Sequence, residues 1–368
     1  IHSQKSDYLV IVKPNYQISE NWIHGVEHLC QNNIDVIFGD EDCLINDKRI
    51  LPNYKTGWDY EYFLQKDYLG GVLFLKYNEN LLITKNYSSI SQTELLLSIY
   101  NDNLKIENCQ NVLSHRLNIN TDYIQNRCDI INDFFKKSNV NASASQKNDS
   151  DCVIDYLLSN TSSYKVAIII PSKDNVLLKK CIDSILEKTL YDNYEIIVIS
   201  NNSEQTSTKQ YLKELNDAKI ATVYFYNKPF NYSELNNYAS TKTNANILCF
   251  LNDDTEVISK DWLIKMVSLL SQPKNGIVGA QLLYENYTIQ HIGVVLGIGG
   301  VAGHIHRGKS IDESIYSFVN YDHNYSAVTG ACLCIKSEIF KQVGGFDEIN
   351  LKVSYNDIDL CLKVKELN

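Results

Sequence analysis

Between residues 164 and 283, short apolar runs alternate with segments of helical periodicity. This alternation restricts the possible folds more than any other feature of the sequence. Strands that alternate with helices form a mostly parallel sheet with helices on both faces. We therefore expect an α/β, Rossmann-like fold, with ligands at the carboxyl ends of the strands. The strand-like runs are VAIII (166–170), EIIVIS (195–200), ATVYFY (221–226), ILCFL (247–251) and GIVGAQLL (276–283).

Helix starts are expected at three polar residues that precede apolar periodicity. Asp174 is expected to cap the helix after the first strand, because its carboxylate can accept a hydrogen bond from a free backbone N–H of the first turn. Ser233 and Ser259 are expected to open the helices SELNNYAS and SKDWLIKMVSLLSQ.

Composition excludes several classes of protein. The chain is 44% hydrophobic and 21% charged, which is ordinary for a globular protein. A net charge of -10 disfavours nonspecific nucleic-acid binding, which needs lysine and arginine to displace counterions. No apolar run approaches the roughly 18–20 residues of a transmembrane helix, and no signal peptide is visible. Ten cysteines without a CxxC pair indicate reduced thiols, so we expect a cytoplasmic protein, with peripheral binding at the inner face of the cell membrane left open.

Four polar groups follow directly from the apolar run ILCFL: Asn252, Asp253, Asp254 and Glu256. Asn252 and Asp254 flank one residue, so both can turn toward one point while Asp253 turns away. A hard divalent cation at that point, bound by oxygen ligands and by phosphate oxygens, would relieve the repulsion between the acids. The alternative is that these residues only cap the turn that follows the strand.

Seven stretches in the second half of the chain together resemble family 2 glycosyltransferases of the GT-A fold, with the greatest likeness to bacterial O-antigen and rhamnosyltransferase-like members. The resemblance runs through residues 164–368 and implies inverting transfer of a sugar from a nucleoside diphosphate donor to an acceptor hydroxyl. The stretches are VAIIIPSKDN, YEIIVISNNS, FNYSELNNYA, LNDDTEVISKDWL, LLYENYTIQHIGVVLGIGGVAGHIHRG, SAVTGACLCI and GGFDEINLKVSYNDIDLCLKV.

The resemblance implies roles for two sets of residues, the metal ligands and the catalytic base. Asn252 and Asp254 take the position of the metal ligands, and the metal, Mn²⁺ or Mg²⁺, would hold the donor diphosphate. Asp357 in VSYNDIDLCL matches the base that removes the acceptor proton. Asp359 is the competing candidate, but two residues along a helix it should point elsewhere, and an acid at a helix start is favoured by the dipole alone.

The resemblance also implies a nucleotide site over the first two strands. UDP and dTDP both remain open as donor nucleotides, because family members often have an aspartate at the end of the second strand and this chain has ISNNS. The solvated start of a helix is an equally good interpretation of the polar residues near 236. The expected nucleotide contacts are Pro171, Ser172, Asp174, Ser200, Asn201, Asn237 and Asp253.

Three histidines lie in or beside the glycine-rich stretch VVLGIGGVAGHIHRG: His291, His304 and His306. They lack a further cysteine or histidine at zinc-binding spacing. We expect this stretch to form a loop near the active site, and the histidines to contact acceptor or phosphate.

The first part of the chain contains a repeat of the second. Trp22 in ISENWI and Trp262 in ISKDWL lie 240 residues apart, and the same offset brings Gly39 onto Gly279 without a gap. The offset places Lys13 and its neighbours at the metal position, and a second alignment places Gln92 opposite Asp357. We therefore expect the later half of a degenerate, inactive GT-A-like domain. The acids Asp40–Asp42 spell D-x-D, but they follow the wrong strand.

These observations predict a tandem organisation: residues 1–130 form the partial domain, 131–163 a linker with a short helix, and 164–368 the GT-A domain. The chain starts with Ile1 and stops within helical sequence, so we expect a fragment at both ends that binds nucleotide weakly. The expected function is transfer from a UDP- or dTDP-sugar to a glycan or lipid-linked glycan in synthesis of a cell-envelope polysaccharide, O-antigen or capsule. A carbohydrate-binding pseudoenzyme and a nucleotidyltransferase are the alternatives, and release of pyrophosphate would identify the latter.

Overall fold

The structure is a computed structural model, which describes residues 8–77, 91–101, 103–118, 126–158, 164–311 and 318–367. The chain divides into two compact units. The first comprises Ile1–Asp155 with Tyr321–Asn324, and the second comprises Tyr156–Asn320 with Tyr325–Asn368.

The first unit is built on a six-stranded sheet and a separate two-stranded sheet. Its strands are β1 (Tyr8–Val12), β2 (Tyr16–Ile18), β3 (Val36–Ile45), β4 (Lys48–Asn53), β5 (Val72–Lys76), β6 (Ile106–Arg116), β7 (Ala142–Gln146) and β8 (Cys152–Tyr156). Its helices are α1 (Trp22–Gln31), α2 (Tyr60–Gln65), α3 (Gln92–Ile99) and α4 (Arg127–Lys137). The larger sheet has the order β1-β5-β3-β6-β2, with β4 paired to β3, and β7 pairs with β8.

The prediction that residues 131–163 form a linker with a short helix is wrong in two places. Residues 142–146 form β7, and residues 152–156 form β8 where a short helix was expected. The reason lies in the burial of β8, whose residues Cys152, Ile154 and Tyr156 are buried at the alternating spacing of a strand. Residues 159–163 of the predicted linker lie outside the described residues.

The expectation that the cysteines are all reduced thiols is also wrong. Cys128 in the first turn of α4 and Cys152 at the start of β8 form a disulfide, with a Cα–Cα distance of 5.9 Å. Sequence spacing gave no sign of it, because 24 residues separate the two cysteines and the chain between them returns through β7.

This disulfide leads to a first prediction. Closing a loop of this size typically stabilises a protein by about 2–4 kcal/mol through the unfolded state. We therefore expect reductant to lower the melting temperature of the wild type, but not that of a Cys128→Ala/Cys152→Ala double variant, in differential scanning calorimetry. Alkylation of both thiols in the unreduced wild type, detected by mass spectrometry, would contradict the pairing.

The second unit contains a six-stranded sheet of order β11-β10-β9-β12-β18-β13, together with short hairpins. Its strands are β9 (Val166–Ser172), β10 (Tyr194–Asn201), β11 (Thr222–Tyr226), β12 (Ile247–Leu251), β13 (Ile277–Gly279), β14 (Leu282–Leu283), β15 (Ile289–His291), β16 (Val294–Leu296), β17 (Ala302–His304) and β18 (Cys332–Lys336). Its helices are α5 (Leu178–Lys188), α6 (Thr206–Asp217), α7 (Tyr232–Ser240), α8 (Trp262–Leu270), α9 (Ser337–Gln342) and α10 (Asn356–Lys365). Strands β11, β10, β9 and β12 are parallel, and β18 is antiparallel to both of its neighbours.

Helices cover both faces of this sheet. Along β9, Val166, Ile168 and Ile170 belong to one core, whereas Ala167 and Ile169 belong to another. The first core is completed by α5, α6 and α8, and the second by α7, α9 and α10. The mostly parallel, doubly covered sheet expected from the sequence is therefore confirmed.

The predicted helix starts differ from those in the structure. Asn231, not Ser233, caps α7 by accepting the Glu234 N–H at 3.1 Å. Helix α8 starts after Asp261 instead of Ser259, and α5 starts after Leu177 without a side-chain cap. Asp174 does act at a helix start, but at that of α6, the following helix.

The two units share a three-strand pattern. In the second unit β18 lies between β12 and β13 and is antiparallel to both. In the first unit β5 lies between β1 and β3 and is likewise antiparallel to both. The helices that follow β1 and β12 both start at a tryptophan, Trp22 and Trp262. The 240-residue offset of the sequence relates the two tryptophans and also relates β3 to β13, whereas β5 and β18 begin 332 - 72 = 260 residues apart.

No helix within the described ranges is long and apolar enough to cross a membrane.

Candidate functional site

The candidate site lies at the carboxyl edge of the second unit's sheet, where β9, β10 and β12 end side by side. Parallel register pairs Ser172 with Ser200 and Ile169 with Phe250, so the residues just after these strands meet at one edge. This is the edge at which open α/β sheets bind their ligands.

Two buried side-chain oxygens at the ends of β9 and β10 have no hydrogen-bond partner in the described structure: Ser172 Oγ and Asn201 Oδ1. Asn201 is only 2% exposed, and its Nδ2 donates to the Tyr226 and Lys228 carbonyl oxygens at 3.0 and 2.9 Å. Both amide protons are therefore used, which leaves Oδ1 as a fixed acceptor. A buried polar atom without a partner is costly, and ligand atoms can satisfy it.

Other predicted nucleotide contacts have partners within the protein. Ser200 Oγ donates to Ser203 Oγ at 2.8 Å, and Pro171 is half-buried in β9. Asn237 donates through Nδ2 to the Phe346 carbonyl oxygen at 2.9 Å and accepts the Phe346 N–H at 3.0 Å. The structure thus gives Asn237 a role in holding the chain at Phe346, which a sequence cannot reveal because 109 residues separate the two.

Asp174 is engaged in a similar way. Its carboxylate accepts the backbone N–H groups of Glu204 and Gln205 at 2.8 and 3.1 Å, at the start of α6. The hydrogen bond from the Glu204 N–H contributes most to holding the pKa of this carboxyl below its ordinary value. Asp174 therefore joins the ends of β9 and β10, and a contact to nucleotide stays a prediction.

The polar residues after β12 differ in their partners and exposure. Asp253 accepts a hydrogen bond from Asn175 Nδ2 at 2.8 Å. Asp254 is exposed, and Asn252 is half-buried with its backbone N–H donating to the Ala331 carbonyl oxygen at 3.0 Å. Within the described residues, no group of three histidine, cysteine or acidic side chains forms a metal cage.

Asn252 and Asp254 nevertheless fit one class of metal site. Mg²⁺ and similar hard cations are commonly bound by one or two carboxylates, with substrate phosphates and water supplying the other ligands. An exposed carboxylate two residues after an amide side chain at a strand end suits that arrangement.

Asp357 lies in the first turn of α10, where the structure fixes its carboxylate. Oδ2 accepts the Gly330 N–H at 2.9 Å, and Oδ1 accepts the Ile358 N–H at 2.9 Å. The Gly330 carbonyl oxygen accepts the Tyr232 hydroxyl at 2.9 Å, so α7 also holds this segment. Burial, and next the Asp357 charge, raise the pKa of Tyr232, which keeps its hydroxyl a donor.

Gly330 and Ala331 connect Asn252, just after β12, with the acid on α10. Ala331 bonds the backbone of Asn252, and its neighbour Gly330 bonds Asp357. Sequence reasoning missed Gly330 and Tyr232 as site residues. The signal for Gly330 was its place two residues before β18, but only the structure shows the close approach of Tyr232, whose hydroxyl would lie 3.1 Å from an added Cβ.

Asp359, the competing base, forms a salt bridge with Lys363 one turn along α10, with an oxygen–nitrogen distance of 2.6 Å. The expectation that it differs in direction from Asp357 agrees with this geometry.

The three histidines separate into a pair and a single residue. His291 and His304 lie 2.9 Å apart between their Nδ1 atoms. His306 instead contacts Phe318 edge to face, with ring centroids 5.0 Å apart. Burial, and next His304, lower the pKa of His291 to about 3, so that ring is neutral at physiological pH.

The acids 40–42 of the first unit are satisfied within that unit. All three side chains are buried, with exposures of 4–6%. Their partners are the Lys55 N–H for Asp40, the side chains of Lys55 and Asn53 for Glu41, and those of Arg49 and His115 for Asp42. These contacts give each acid of this literal D-x-D a structural role, on a strand that does not match the metal position.

Gln92 and Lys13 are the first-unit residues that the sequence alignments place opposite Asp357 and Asp253. Gln92 starts α3 and is 7% exposed, and neither of its side-chain polar atoms has a hydrogen-bond partner among the residues described. Lys13, just after β1, forms a salt bridge with Asp67 at 3.0 Å.

Comparisons with known proteins agree with the geometry of the second unit. Residues 167–344 match the family model described as glycosyl transferase family 2. An uncharacterized protein of Sinorhizobium fredii, y4gI, is 45% identical over 203 residues, and O-antigen biosynthesis protein RfbC of Myxococcus xanthus is 36% identical over 205 residues. Each alignment covers 54% of this chain, but only 22% and 16% of those relatives, so the chain spans about a fifth of their length.

Solved glycosyltransferases show a looser likeness. Mannosyltransferase PcManGT of Pyrobaculum calidifontis, in complex with GDP-Man and Mn²⁺, has a TM-score of 0.40 and 16% identity over 55% of this chain and 53% of its own. GalNAc-T7 with UDP, GalNAc and Mn²⁺ has a TM-score of 0.43 and 15% identity over 60% of this chain and 44% of its own. Because these scores are low, the assignment rests on the sequence matches and on the sheet topology. The second unit of this chain belongs to glycosyltransferase family 2 and has the GT-A fold.

Proposed function

We propose that the second unit transfers a sugar, with inversion, from a nucleoside diphosphate donor to a glycan hydroxyl, with Asp357 as the base and Asn252 and Asp254 as metal ligands. The observation that carries this proposal is the link through Gly330 and Ala331, which joins the acid at the start of α10 to the residues after β12. Inversion needs a base opposite the leaving group, and a diphosphate leaving group needs positive charge beside it.

Each residue has a separate task in this proposal. Asp357 takes the proton of the acceptor hydroxyl, whose oxygen forms the new bond to the anomeric carbon while the bond to the diphosphate breaks. Asn252 and Asp254 would hold Mn²⁺ or Mg²⁺, which neutralises charge on the departing diphosphate. Tyr232 and Gly330 are positioning residues, because they fix the segment to which Asp357 is bonded.

Ser172 and Asn201 support a pyrimidine nucleotide. The fixed acceptor Asn201 Oδ1 needs a hydrogen-bond donor, and uracil and thymine both present an N–H at N3. UDP and dTDP, the two nucleotides expected from the sequence, are compatible with this acceptor, and a base that offers only an acceptor at that place would leave Oδ1 unpaired. The acceptor we propose is a glycan or lipid-linked glycan of a surface polysaccharide, in line with the name of the Myxococcus relative.

For the first unit we propose the later half of a degenerate GT-A-like domain, as in tandem glycosyltransferases. The shared strand pattern supports this origin. Val12 and Pro14 stand opposite Asn252 and Asp254, and Gln92 stands opposite Asp357, which supports the absence of catalysis there.

The donor site is tested by isothermal titration calorimetry with UDP and dTDP, with and without Mn²⁺. We expect Mn²⁺ to strengthen binding in the wild type, and Asp254→Ala to remove that gain, so that the dissociation constant in Mn²⁺ rises at least about tenfold, or about 1.4 kcal/mol. Asp217→Ala, which removes an exposed acid on α6, is the matched control and should bind like the wild type.

Two outcomes would contradict this proposal. Binding by folded protein that is equally strong with and without Mn²⁺ would remove the metal role of Asp254. No binding of either nucleotide would favour the carbohydrate-binding pseudoenzyme, for which the sequence ISNNS after the second strand is the supporting feature.

A further inference from the structure

A pair of histidines stands beside the proposed base. His291 ends β15 and is 1% exposed, whereas His304 ends β17 and is exposed. Strand β17 pairs antiparallel with β16, with His304 opposite Val294, so the hairpin brings His304 back onto His291. Their Nδ1 atoms are 2.9 Å apart, and the rings meet edge to face.

The hydrogen bonds of this pair determine where its protons are. The Thr329 backbone N–H donates to His291 Nε2 at 3.3 Å, and an amide nitrogen can only donate. His291 Nε2 therefore carries no proton. Since His291 is a neutral imidazole, its single proton is on Nδ1, and that proton is donated to His304 Nδ1.

It follows that His304 has its proton on Nε2. That nitrogen is on the side of the ring away from His291. A second proton on His304 would have to sit on Nδ1, where the His291 proton already points. The pair thus holds His304 as a neutral hydrogen-bond donor.

The charged groups around His304 are Asp357 on α10 and Arg307 after β17. His304 is exposed in part only, and the desolvation of its covered part lowers its pKa, which Asp357 opposes and Arg307 reinforces. His291, which holds His304, accepts the Thr329 N–H, and the N–H of the next residue, Gly330, is donated to Asp357. The histidine pair and the Asp357 carboxylate are therefore bonded to consecutive residues of one segment before β18.

We propose that His304 binds the acceptor hydroxyl: its Nε2–H donates to the hydroxyl oxygen, whose own proton is donated to Asp357. His291 is the positioning residue, because it fixes the tautomer of His304. This inference rests on the proposed function, in which Asp357 is the base. During transfer the hydroxyl proton passes to Asp357, the oxygen bonds to the anomeric carbon, the nucleoside diphosphate leaves, and His304 keeps its proton.

The pairing with Asp357 favours a hydroxyl over a phosphate as the ligand. A hydroxyl has a lone pair for His304 and a proton for Asp357, so it satisfies both groups. A diphosphate oxygen would also accept from His304, but it would then lie beside the Asp357 carboxylate, and the like charges would repel.

The tautomer is tested by long-range ¹H–¹⁵N NMR on protein labelled at histidine, with His304 assigned from a His304→Gln spectrum. We expect the Nε2–H form of His304, with a pKa below the ordinary value of about 6.5 for histidine. In His291→Phe we expect the pKa of His304 to rise toward that value. A wild-type His304 that carries its proton on Nδ1, or that titrates near its ordinary pKa, would overturn the proposal.

The ligand class is tested by UDP calorimetry in Mn²⁺ and by UDP release from UDP-glucose, with water as the acceptor. We expect His304→Ala to bind UDP within about twofold of the wild type, yet to release UDP at least about tenfold more slowly, with partial recovery in His304→Gln, which keeps an N–H donor. UDP binding weakened more than tenfold would assign His304 to the diphosphate and overturn the proposal. Wild-type protein that binds no nucleotide would refute the proposed function, whereas the NMR result would still decide the tautomer.

Discussion

Asp357→Asn is expected to slow sugar transfer by about 10²–10⁴-fold while leaving donor binding intact, which is the usual range for loss of a general base. Asparagine keeps the shape of the side chain and one carbonyl oxygen to accept the Gly330 N–H, now 2.9 Å from Oδ2. It cannot take a proton from a hydroxyl. The measurement is release of UDP or dTDP from a nucleotide sugar, with UDP calorimetry on the same protein to show that the donor site is unchanged.

Asp359→Asn is the matched control for this prediction. The two acids lie on the same helix, and the substitution removes the same charge, but Asp359 is paired with Lys363. We expect its turnover to remain within about twofold of the wild type. If Asp359→Asn were the slow variant and Asp357→Asn the active one, the roles assigned to these residues would be reversed.

The sheet of the second unit could be predicted from its sequence because its strands are buried on both faces. The run ILCFL coincides with β12, and the other parallel strands lie within one or two residues of their predicted ends. Continuous apolar runs of this kind are typical of parallel strands covered by helices. The run 276–283 was less accurate, since it divides into β13 and β14.

The features that the sequence did not reveal depend on contacts between distant residues. Asn231 and Asp261 precede α7 and α8, each two residues from the serine expected there, and of these two only Asn231 accepts a capping hydrogen bond. Several polar neighbours can cap a helix, and the sequence does not show which of them does so. Strand β7 lies in a stretch rich in serine and asparagine, and it is defined by its pairing with β8.

In the candidate site, too, features set by local sequence could be predicted and features set by distant contacts could not. Asp254 and Asp357 can be found from the residues around them, because each follows a recognisable strand or starts a recognisable helix. The pairing of His291 with His304 needs the β16–β17 hairpin, and the use of Asn237 at Phe346 needs a contact across 109 residues. Residue type alone did not distinguish side chains open to a ligand from those already used by the protein.

Lys55→Met in the first unit is expected to lower the free energy of unfolding of that unit by about 3–5 kcal/mol, the usual cost of leaving one partner of a buried ion pair without the other. The Lys55 side chain is 2% exposed, and its Nζ donates to Glu41 Oε2 at 3.3 Å and to the Leu69 carbonyl oxygen at 2.9 Å. Amide hydrogen exchange of β3 and β5 measures the loss where it occurs. Lys48→Met removes an exposed lysine from β4 and should leave exchange unchanged.

The pH dependence of this loss identifies its cause. In the wild type, burial acts to raise the pKa of Glu41, but Lys55, with Asn53 and Arg116, holds it below its ordinary value. That depressed pKa contributes stability above pH 4.5, which is lost as the pH falls through the folded-state pKa.

Without Lys55, burial should raise the pKa of Glu41 instead, so the buried charge destabilises the unit at pH 7. Protonation of Glu41 on acidification then relieves this cost. The difference between Lys55→Met and the wild type should therefore shrink between pH 7 and pH 4.5, and Glu41→Gln in the Lys55→Met background should recover part of the stability at pH 7. A loss that is constant over this range and unaffected by Glu41→Gln would mean that packing of the lysine stem, not its charge, is what the first unit requires.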